Sequence, residues 1–500
     1  MRAIWEQTWQ RLSQKKRETL AKFTVFQGGG TLEAIEKVTN THFSVLLSLV
    51  NESLLKRIPP DRFDMHELLK QFASSKLTYS LEEARNSHAN THVQIAAQLA
   101  PANKKLQPDF LAILDIDRYN FQAAWWHLIE ENKYKQLEIL QRPLKYLFFA
   151  KAYYNEGVEF YQKSIEKLIS TKASKEKSFF IADIDAILAD LLMPLGKWQE
   201  AIEQLNHGLN LLKNESAPIQ RAELLDSRSR IHYFKGEFVA AKENIQEAIK
   251  LLEHSPNKQT RANFIHALAI ITTQLKDFKD AEKYYYKALE HYQEINDNSN
   301  MTLTLNNLAS LKMRLGELHE SKVLLEKALL LSQQFDSARA EMNITNTLSG
   351  VHYRLGGFAE SEKYSIITIE LCEKAKDNLY AIYAHLTLAK IKIKVASLDR
   401  VKTHLLDGLK LAYRLDSKIQ YLEVILAYTQ YLFAKKQYEP ALPYLAVVLE
   451  HPEIQDYSIK EANELKVELD KSALNKLDSK IFKNANIRDL IDEINIQLQS

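Results

Sequence analysis

Apolar and small positions return every 40 residues along most of this chain. The stretch Leu195-Gly196-Lys197-Trp198-Gln199-Glu200-Ala201 comes back as Lys235-Gly236-Glu237-Phe238-Val239-Ala240-Ala241, then again at 275, 315, 355, 395 and 435. Three places into each copy stands an aromatic residue or Leu: Trp198, Phe238, Phe278, Leu318, Phe358, Leu398 and Tyr438. Three further on stands a mostly small one: Ala201, Ala241, Ala281, Ser321, Ser361, Val401 and Ala441. A fixed period of this length predicts a solenoid of stacked units. Six places before the residue that opens each turn, the side chain is again small, at Ala189, Ser229, Ala269, Ala309, Ser349, Ala389 and Thr429. Close helix crossing requires that, because a larger side chain would push the axes beyond about 8 to 10 Å. A second small site (Gly208, Ala248, Ala288, Ala328, Thr368, Gly408, Val448) precedes an aliphatic residue in every copy. Each unit therefore reads as two antiparallel helices. Gly196, Gly236, Gly316 and Gly356 fall where the first helix needs a left-handed cap.

This arrangement resembles the tetratricopeptide repeat, lengthened to 40 residues. The expected fold is all-α: a right-handed superhelical solenoid of tetratricopeptide-like helix pairs preceded by a small winged-helix domain. The domains expected are a winged helix over 1–80, a connector over 81–107, divergent opening helices with a first repeat over 108–178, seven repeats over 179–455, and capping helices over 456–500. In the connector, a helix-like run from Ser87 to Leu99 is broken by Pro101 and bounded by Pro108. The first repeat, Tyr154 to Leu168, aligns with the next at an offset of 44, which predicts a longer loop over Thr171 to Lys177. Pro443 is expected to bend the last second helix, since it removes an internal hydrogen bond. The polar-rich helices after it are expected to cover the open end of the array.

Residues 1–80 follow another pattern. Ser13 to Phe26, Thr31 to Val38 with Thr31 as its cap, and His42 to Leu55 read as helices. Leu55-Lys56-Arg57-Ile58 and Arg62-Phe63-Asp64-Met65 then flank a Pro59-Pro60-Asp61 turn, and a helix follows from His66 to Leu77. Gly28-Gly29-Gly30 reads as a flexible turn. Winged helices often read DNA with the third helix. Here that helix carries no Lys or Arg, whereas phosphates and base edges call for cations, so packing or regulation is the expected role and DNA contact is disfavoured.

Phe23-Thr24-Val25-Phe26-Gln27-Gly28-Gly29, the Leu46 to Leu55 helix, and Phe63-Asp64-Met65-His66-Glu67-Leu68-Leu69 together resemble the winged-helix segment of the signal-transduction ATPases with numerous domains, the STAND family. Asp115-Ile116-Asp117-Arg118-Tyr119-Asn120-Phe121-Gln122-Ala123-Ala124 is similar to the segment that opens their repeat region. In that family an NB-ARC-type ATPase core precedes the winged helix and repeats follow. The resemblance implies a nucleotide-sensing role for His66, whose family counterpart approaches the phosphates of bound ADP. No Gly-x-x-x-x-Gly-Lys-Ser/Thr string occurs in the 500 residues, so any such nucleotide would be met in trans, on a separate NB-ARC-type ATPase chain. The alternative for His66 is a structural place at the start of its helix. The chain is thus expected to be the interaction half of a STAND-type regulator, with the ATPase core absent.

Composition narrows the chemistry. With only 12 Gly and 11 Pro the chain suits helices, and 66 basic against 64 acidic side chains leave no net field for nucleic acid or anionic membrane. Cys372 stands alone, as expected of a reducing compartment, and neither a signal sequence nor an 18-residue apolar run is present, so a cytoplasmic protein is expected. His88 and His92 have zinc-like spacing but lack the Glu of a metalloprotease helix. No nucleophile elbow occurs. No catalysis, cofactor or metal is expected.

In repeats of this kind the first helices line the concave surface, at nine, five and two residues before the turn. The polar occupants there are Asp226, Arg230 and Tyr233, then His266 and Thr273, Asn306 and Ser310, Asn346 and Tyr353, and Lys390. Asn can grip peptide backbone and cations can take carboxylates, so a protein or peptide partner is expected, with plain solvated surface as the alternative at each position. Two other readings stay open: a DNA-binding winged-helix transcription factor with a peptide-sensing repeat domain, and an assembly scaffold with no signalling role.

Overall fold

The fold was analysed in a computed structural model that describes residues 2–76, 80–99, 110–171, 174–253, 257–334, 338–375, 377–451, 456–471 and 486–499. Pro101, Pro108, part of the expected 171–177 loop and residues 472–485 of the expected cap lie outside the described residues. Two compact units divide at residue 255.

The first unit opens with α1 (Arg2–Arg11), α2 (Gln14–Phe23), β1 (Gly30–Thr31), α3 (Leu32–Thr39), α4 (Phe43–Asn51), β2 (Lys56–Ile58), β3 (Arg62–Asp64) and α5 (Glu67–Ser74). Ser13 and Thr31 cap α2 and α3, their hydroxyls accepting from the N–H groups of Lys16 and Ala34. The strands lie antiparallel in the order β1-β3-β2, with Gly30 opposite Phe63 and Arg57 opposite Phe63 on the other side. The turn between β2 and β3 falls where Pro59-Pro60-Asp61 predicts it, but β1 departs from the sequence reading. Gly30 is a paired strand residue rather than part of a turn alone, and a Cβ on Gly29 would meet the Phe63 carbonyl oxygen at 2.3 Å. Glycine is needed there for close approach as well as for its positive φ of 76°. Leu20, Phe23, Phe26, Ile35, Leu46, Leu49, Phe63 and Leu69 form the core of this segment.

Next come α6 (Ser80–Leu99), α7 (Phe110–Glu130), α8 (Tyr134–Ala150), α9 (Tyr154–Ile169), α10 (Lys175–Leu192), α11 (Trp198–Leu211), α12 (Pro218–Phe234) and α13 (Phe238–Leu251). A second core, centred on Trp125, Phe148, Tyr161 and Phe180, runs from α6 through α12.

The second unit holds α14 (Lys258–Gln274), α15 (Phe278–Glu294), α16 (Asn298–Leu315), α17 (Leu318–Ser332), α18 (Ala338–Arg354), α19 (Phe358–Ala375), α20 (Leu379–Lys394), α21 (Leu398–Leu415), α22 (Lys418–Ala434), α23 (Tyr438–Glu450), α24 (Asp456–Lys471) and α25 (Ile487–Gln499). Pro443 lies within α23, which continues across it.

The repeat signature is a packing signature. All seven small first-helix residues from Ala189 to Thr429, and the seven from Ala201 to Ala441, are buried. Where Ser replaces Ala at a crossing, its hydroxyl donates to the facing backbone. Ser229 Oγ bonds Ala241 O at 2.8 Å, Ser321 Oγ bonds Ala309 O at 2.7 Å, and Ser349 and Ser361 exchange bonds to each other's carbonyls at 3.0 and 2.8 Å. A buried hydroxyl is tolerated because it is satisfied. At the turn after each first helix, all seven residues are left-handed, the four glycines together with Lys276, Ala396 and Lys436. Burial between repeats outweighs the local penalty at the three that are not glycine.

Candidate binding surface

The residues expected to line a groove divide by what they touch. In the first unit Asp226 and Arg230 pair with each other at 3.3 Å along α12, and Arg230 also reaches Asp190 of α10 at 2.8 Å. Burial raises the Asp226 carboxyl above its ordinary range, and Arg230 only partly offsets this. The Tyr233 ring meets Phe234 and Phe238 edge-on.

In the second unit His266 is 6% exposed and Asn306 4%, so neither presents a free side chain to solvent. His266 lies between neighbouring first helices, with Nδ1 3.2 Å from Thr304 Oγ1 and Nε2 2.9 Å from the Asn307 amide of α16. Burial lowers its pKa to about 4, so the ring is neutral. Asn306 Oδ1 is buried with no hydrogen-bond partner. Asn346 and Tyr353 of α18 are half-buried, and the Tyr353 ring packs on Phe358 at 5.8 Å. Ser310 of α16 donates to the Asn306 carbonyl within its own helix.

Lys390 of α20 is 12% exposed at its side chain, and its Nζ lies 2.7 Å from Glu461 of α24. Burial alone would lower the Lys390 pKa, but the carboxylates of Glu461 and Glu423 outweigh it and the net direction is up. Gln430 Nε2 of α22 donates to the same Glu461 oxygen at 2.9 Å, and Ser458 of α24 donates to Glu423 at 2.5 Å. Three first-helix side chains on α20 and α22 thus hold a helix that the repeats do not supply. Sequence reasoning missed Glu461, because nothing local to α24 marks which of its Glu residues faces Lys390.

A second cluster sits outside the repeats. His66 is exposed and caps α5, its Nδ1 accepting from Leu68 N at 3.3 Å. Asn120 of α7 is fully buried against the Gly28-Gly29 loop: Oδ1 accepts from Gln27 N at 2.7 Å, and Nδ2 donates to Gly29 O at 2.8 Å and to Asp117 at 3.0 Å. Asp117 also binds Arg62 of β3 at 2.8 Å. The Asp117–Asn120 motif therefore latches the first repeat helices to the strand-bearing segment. His88 and His92 belong to the same cluster, their rings 4.1 Å apart and tilted by 37°, with His88 Nε2 3.2 Å from Asn120 Oδ1 and His92 Nδ1 bonded to the His88 carbonyl. Burial lowers both pKa values, so these histidines are neutral packing residues. Among the described residues no group of three or more His, Cys, Asp or Glu could hold a metal ion.

Lys or His stands at the equivalent repeat positions 232, 312, 352 and 392. Lys312 Nζ, on a side chain 6% exposed, meets Glu282 and Glu317 at 2.7 Å and Glu320 at 3.1 Å, while Lys392 meets Glu362 at 2.6 Å. His232 bonds Glu237, and His352 stacks on Tyr364. His232, His352 and the Lys312 pairs with Glu317 and Glu320 bind the two helices of one repeat, while Lys312–Glu282 and Lys392–Glu362 bind a first helix to the second helix of the preceding repeat.

The fold is a set of stacked helix pairs of the tetratricopeptide type, and residues 260–329 match the tetratricopeptide repeat family model. Among solved structures, the chain is similar to the Signal Transduction ATPase with Numerous Domains protein with a tetratricopeptide repeat sensor, PH0952, from Pyrococcus horikoshii, at 13% identity and a TM-score of 0.62, over 97% of this chain and 67% of that one. It is also similar to the apo form of RapI, at 13% identity and a TM-score of 0.50, over 76% of this chain and 97% of that one. At these identities the likeness is one of fold. No curated protein matches the sequence. Among the described residues no helix is long and apolar enough to cross a membrane.

Proposed function

We propose that this chain is a non-catalytic sensor or scaffold that binds a protein or peptide on the first-helix face of its repeats, as the interaction half of a STAND-type signalling or regulatory system. The observation that carries the reading is the carboxylate of Glu461, held by Lys390 and Gln430 on that face. A surface that already grips one acidic side chain has the chemistry to grip another. Asn346 and Tyr353, half-buried on the neighbouring first helix, supply an amide and an aromatic edge for an extended chain. The likeness to a STAND protein whose repeats are named a sensor supports the same assignment.

Within this reading residues 1–80 form a winged-helix adaptor toward a separate NB-ARC-type ATPase chain, with exposed His66 as its contact to bound nucleotide. The DNA-binding alternative is less well supported. Helix α4 bears no cation, Arg62 is committed to Asp117, and Arg57 lies over the Phe43 ring at 5.8 Å.

Panning a displayed random peptide library against the full chain tests the proposal. Enriched peptides are expected to lose at least tenfold in affinity to Asn346→Ala and Tyr353→Ala chains that melt like wild type. Peptides indifferent to both substitutions would overturn the face assigned here. ATP turnover by the purified chain would overturn the non-catalytic part.

A further inference from the structure

The two C-terminal helices pack differently. Helix α25 inserts Ile491, Ile494 and Leu498 into the core formed with α21 and α22, and its polar side adds Tyr413–Asp492, Tyr428–Gln497 and an Arg488–Asp416 bond of 2.9 Å. That is the anchoring of a permanent cap, because three large aliphatics leave water together. Helix α24 buries Ala462 and Leu469 with Ser458, and Leu465 only partly. Its other ties are polar, and they run to first-helix positions: Glu461 to Lys390 and Gln430, and Ser458 to Glu423. Lys390 and Gln430 stand on the first helices α20 and α22, so these bonds lay α24 against the face assigned to the partner.

We propose that α24 is a detachable occupant of the binding face, an internal acidic segment that an acidic peptide partner must displace. The chemistry fixes the kind of partner. Lys390 sits where its charge is costly without a carboxylate, so the site favours whichever carboxylate is delivered to it. Gln430 donates to that carboxylate while its own Oε1 is buried without a partner. A peptide presenting a carboxylate with a backbone N–H beside it would fill both needs, whereas Glu461 fills one. Detachment is the easier because, among the described residues, the buried apolar side chains of α24 against α22 and α23 are Ala462 and Leu469, with Leu465 partly buried, and its remaining ties are the polar ones of Glu461 and Ser458. Binding would thereby release residues 456–471, turning occupancy of the face into a change at the chain's far end.

This inference rests on the binding face proposed above, and its test is separable from that one. The probe is a labelled synthetic peptide of residues 456–471, titrated by fluorescence anisotropy into the full chain. The Glu461→Lys chain sets two cations against each other and is expected to bind the peptide at least tenfold more tightly than wild type. Lys390→Ala in that same chain is expected to cancel the gain. Leu469→Ala weakens the helix's own seat without altering the ion pair, and gives the same increase should Glu461→Lys fold poorly. In wild type, amides of α24 are expected to exchange at least tenfold faster than those of α22. Equal affinity for wild type and both variants, no binding to any chain, or exchange in α24 as slow as in α22 would show a permanent cap. Panned peptides that still depend on Asn346 and Tyr353 would then leave the binding face standing without its internal occupant.

Discussion

Replacing Asn120 by Leu should loosen the joint between the strand-bearing segment and the first repeat helices. The change keeps a similar volume and removes every polar atom. Four groups lose a partner: the part-buried Gln27 N–H at 2.7 Å, the Gly29 carbonyl at 2.8 Å, an Asp117 oxygen at 3.0 Å and the buried His88 Nε2 at 3.2 Å, of which Asp117 keeps a second partner in Arg62. An unsatisfied buried donor or acceptor costs about 1–3 kcal/mol. With the Gly29 carbonyl and His88 losing this bond in the interior, Asp117 keeping Arg62 and the Gln27 N–H only part-buried, the expected loss is about 3–5 kcal/mol, a large share of the roughly 5–15 kcal/mol that holds a typical domain. For a unit of this size that corresponds to a melting shift on the order of 10 °C. Hydrogen exchange read peptide by peptide is the assay, since it assigns the loss to a place; Gln27 to Thr31 should lose protection first. Gln122→Ala, on the same helix as Asn120, removes a part-buried bond to Glu156 of α9; it serves as the control and should change stability by less than about 0.5 kcal/mol. If Asn120→Leu cost less than about 1 kcal/mol and left exchange at the glycine loop unchanged, the latch would be packing alone and the reasoning would fail.

Three further outcomes follow from individual side chains. His266 has a folded pKa of about 4 against 6.5 for the free side chain, so between those values the unfolded chain takes up a proton that the fold refuses. Stability of the second unit should therefore fall as pH drops from 6.5 toward 4, by up to about 3 kcal/mol, and His266→Gln should flatten that slope in urea titrations at successive pH values. Lys312→Met should leave Glu282, Glu317 and Glu320 facing one another. A loss of about 2 kcal/mol is expected at neutral pH, shrinking in 1 M salt because the carboxylates are part-exposed, and thermal melts at two salt concentrations would read it. Ala396→Gly, at a left-handed position with φ of 58°, should stabilise by about 0.5–1 kcal/mol, where a loss on denaturant titration would contradict the strain argument.

What the sequence made legible was what repeats. Ala309 and Ser321 are recognisable because six other copies vary around the same constraint, and the structure uses them as that constraint demands. The left-handed turns were visible where Gly stands and hidden at Lys276, Ala396 and Lys436, because packing between helices overrides the local preference. Functional positions were harder, for a physical reason. Counting residues back from the turn places a side chain on the first-helix face but does not say what the next helix brings against it. His266 is consumed by Thr304 and Asn307, Arg230 by Asp190, and Lys390 by a Glu 71 residues away. Asn120 was noticed only as part of a resemblance. Its four partners lie 3, 32, 91 and 93 residues distant, and no periodicity announces such a site.

The central claim is that the first helices of the second unit form the binding face. It is tested most directly by placing a photo-crosslinking residue in a peptide selected by panning, then mapping by mass spectrometry where it attaches to the full chain. Attachment is expected within α16, α18 and α20, close to Asn306, Asn346, Tyr353 and Lys390. Attachment to the exposed side of the second helices, at Val323 and Leu330 of α17 or Ile366 of α19, or to the strand-bearing segment ahead of the repeats, would contradict it.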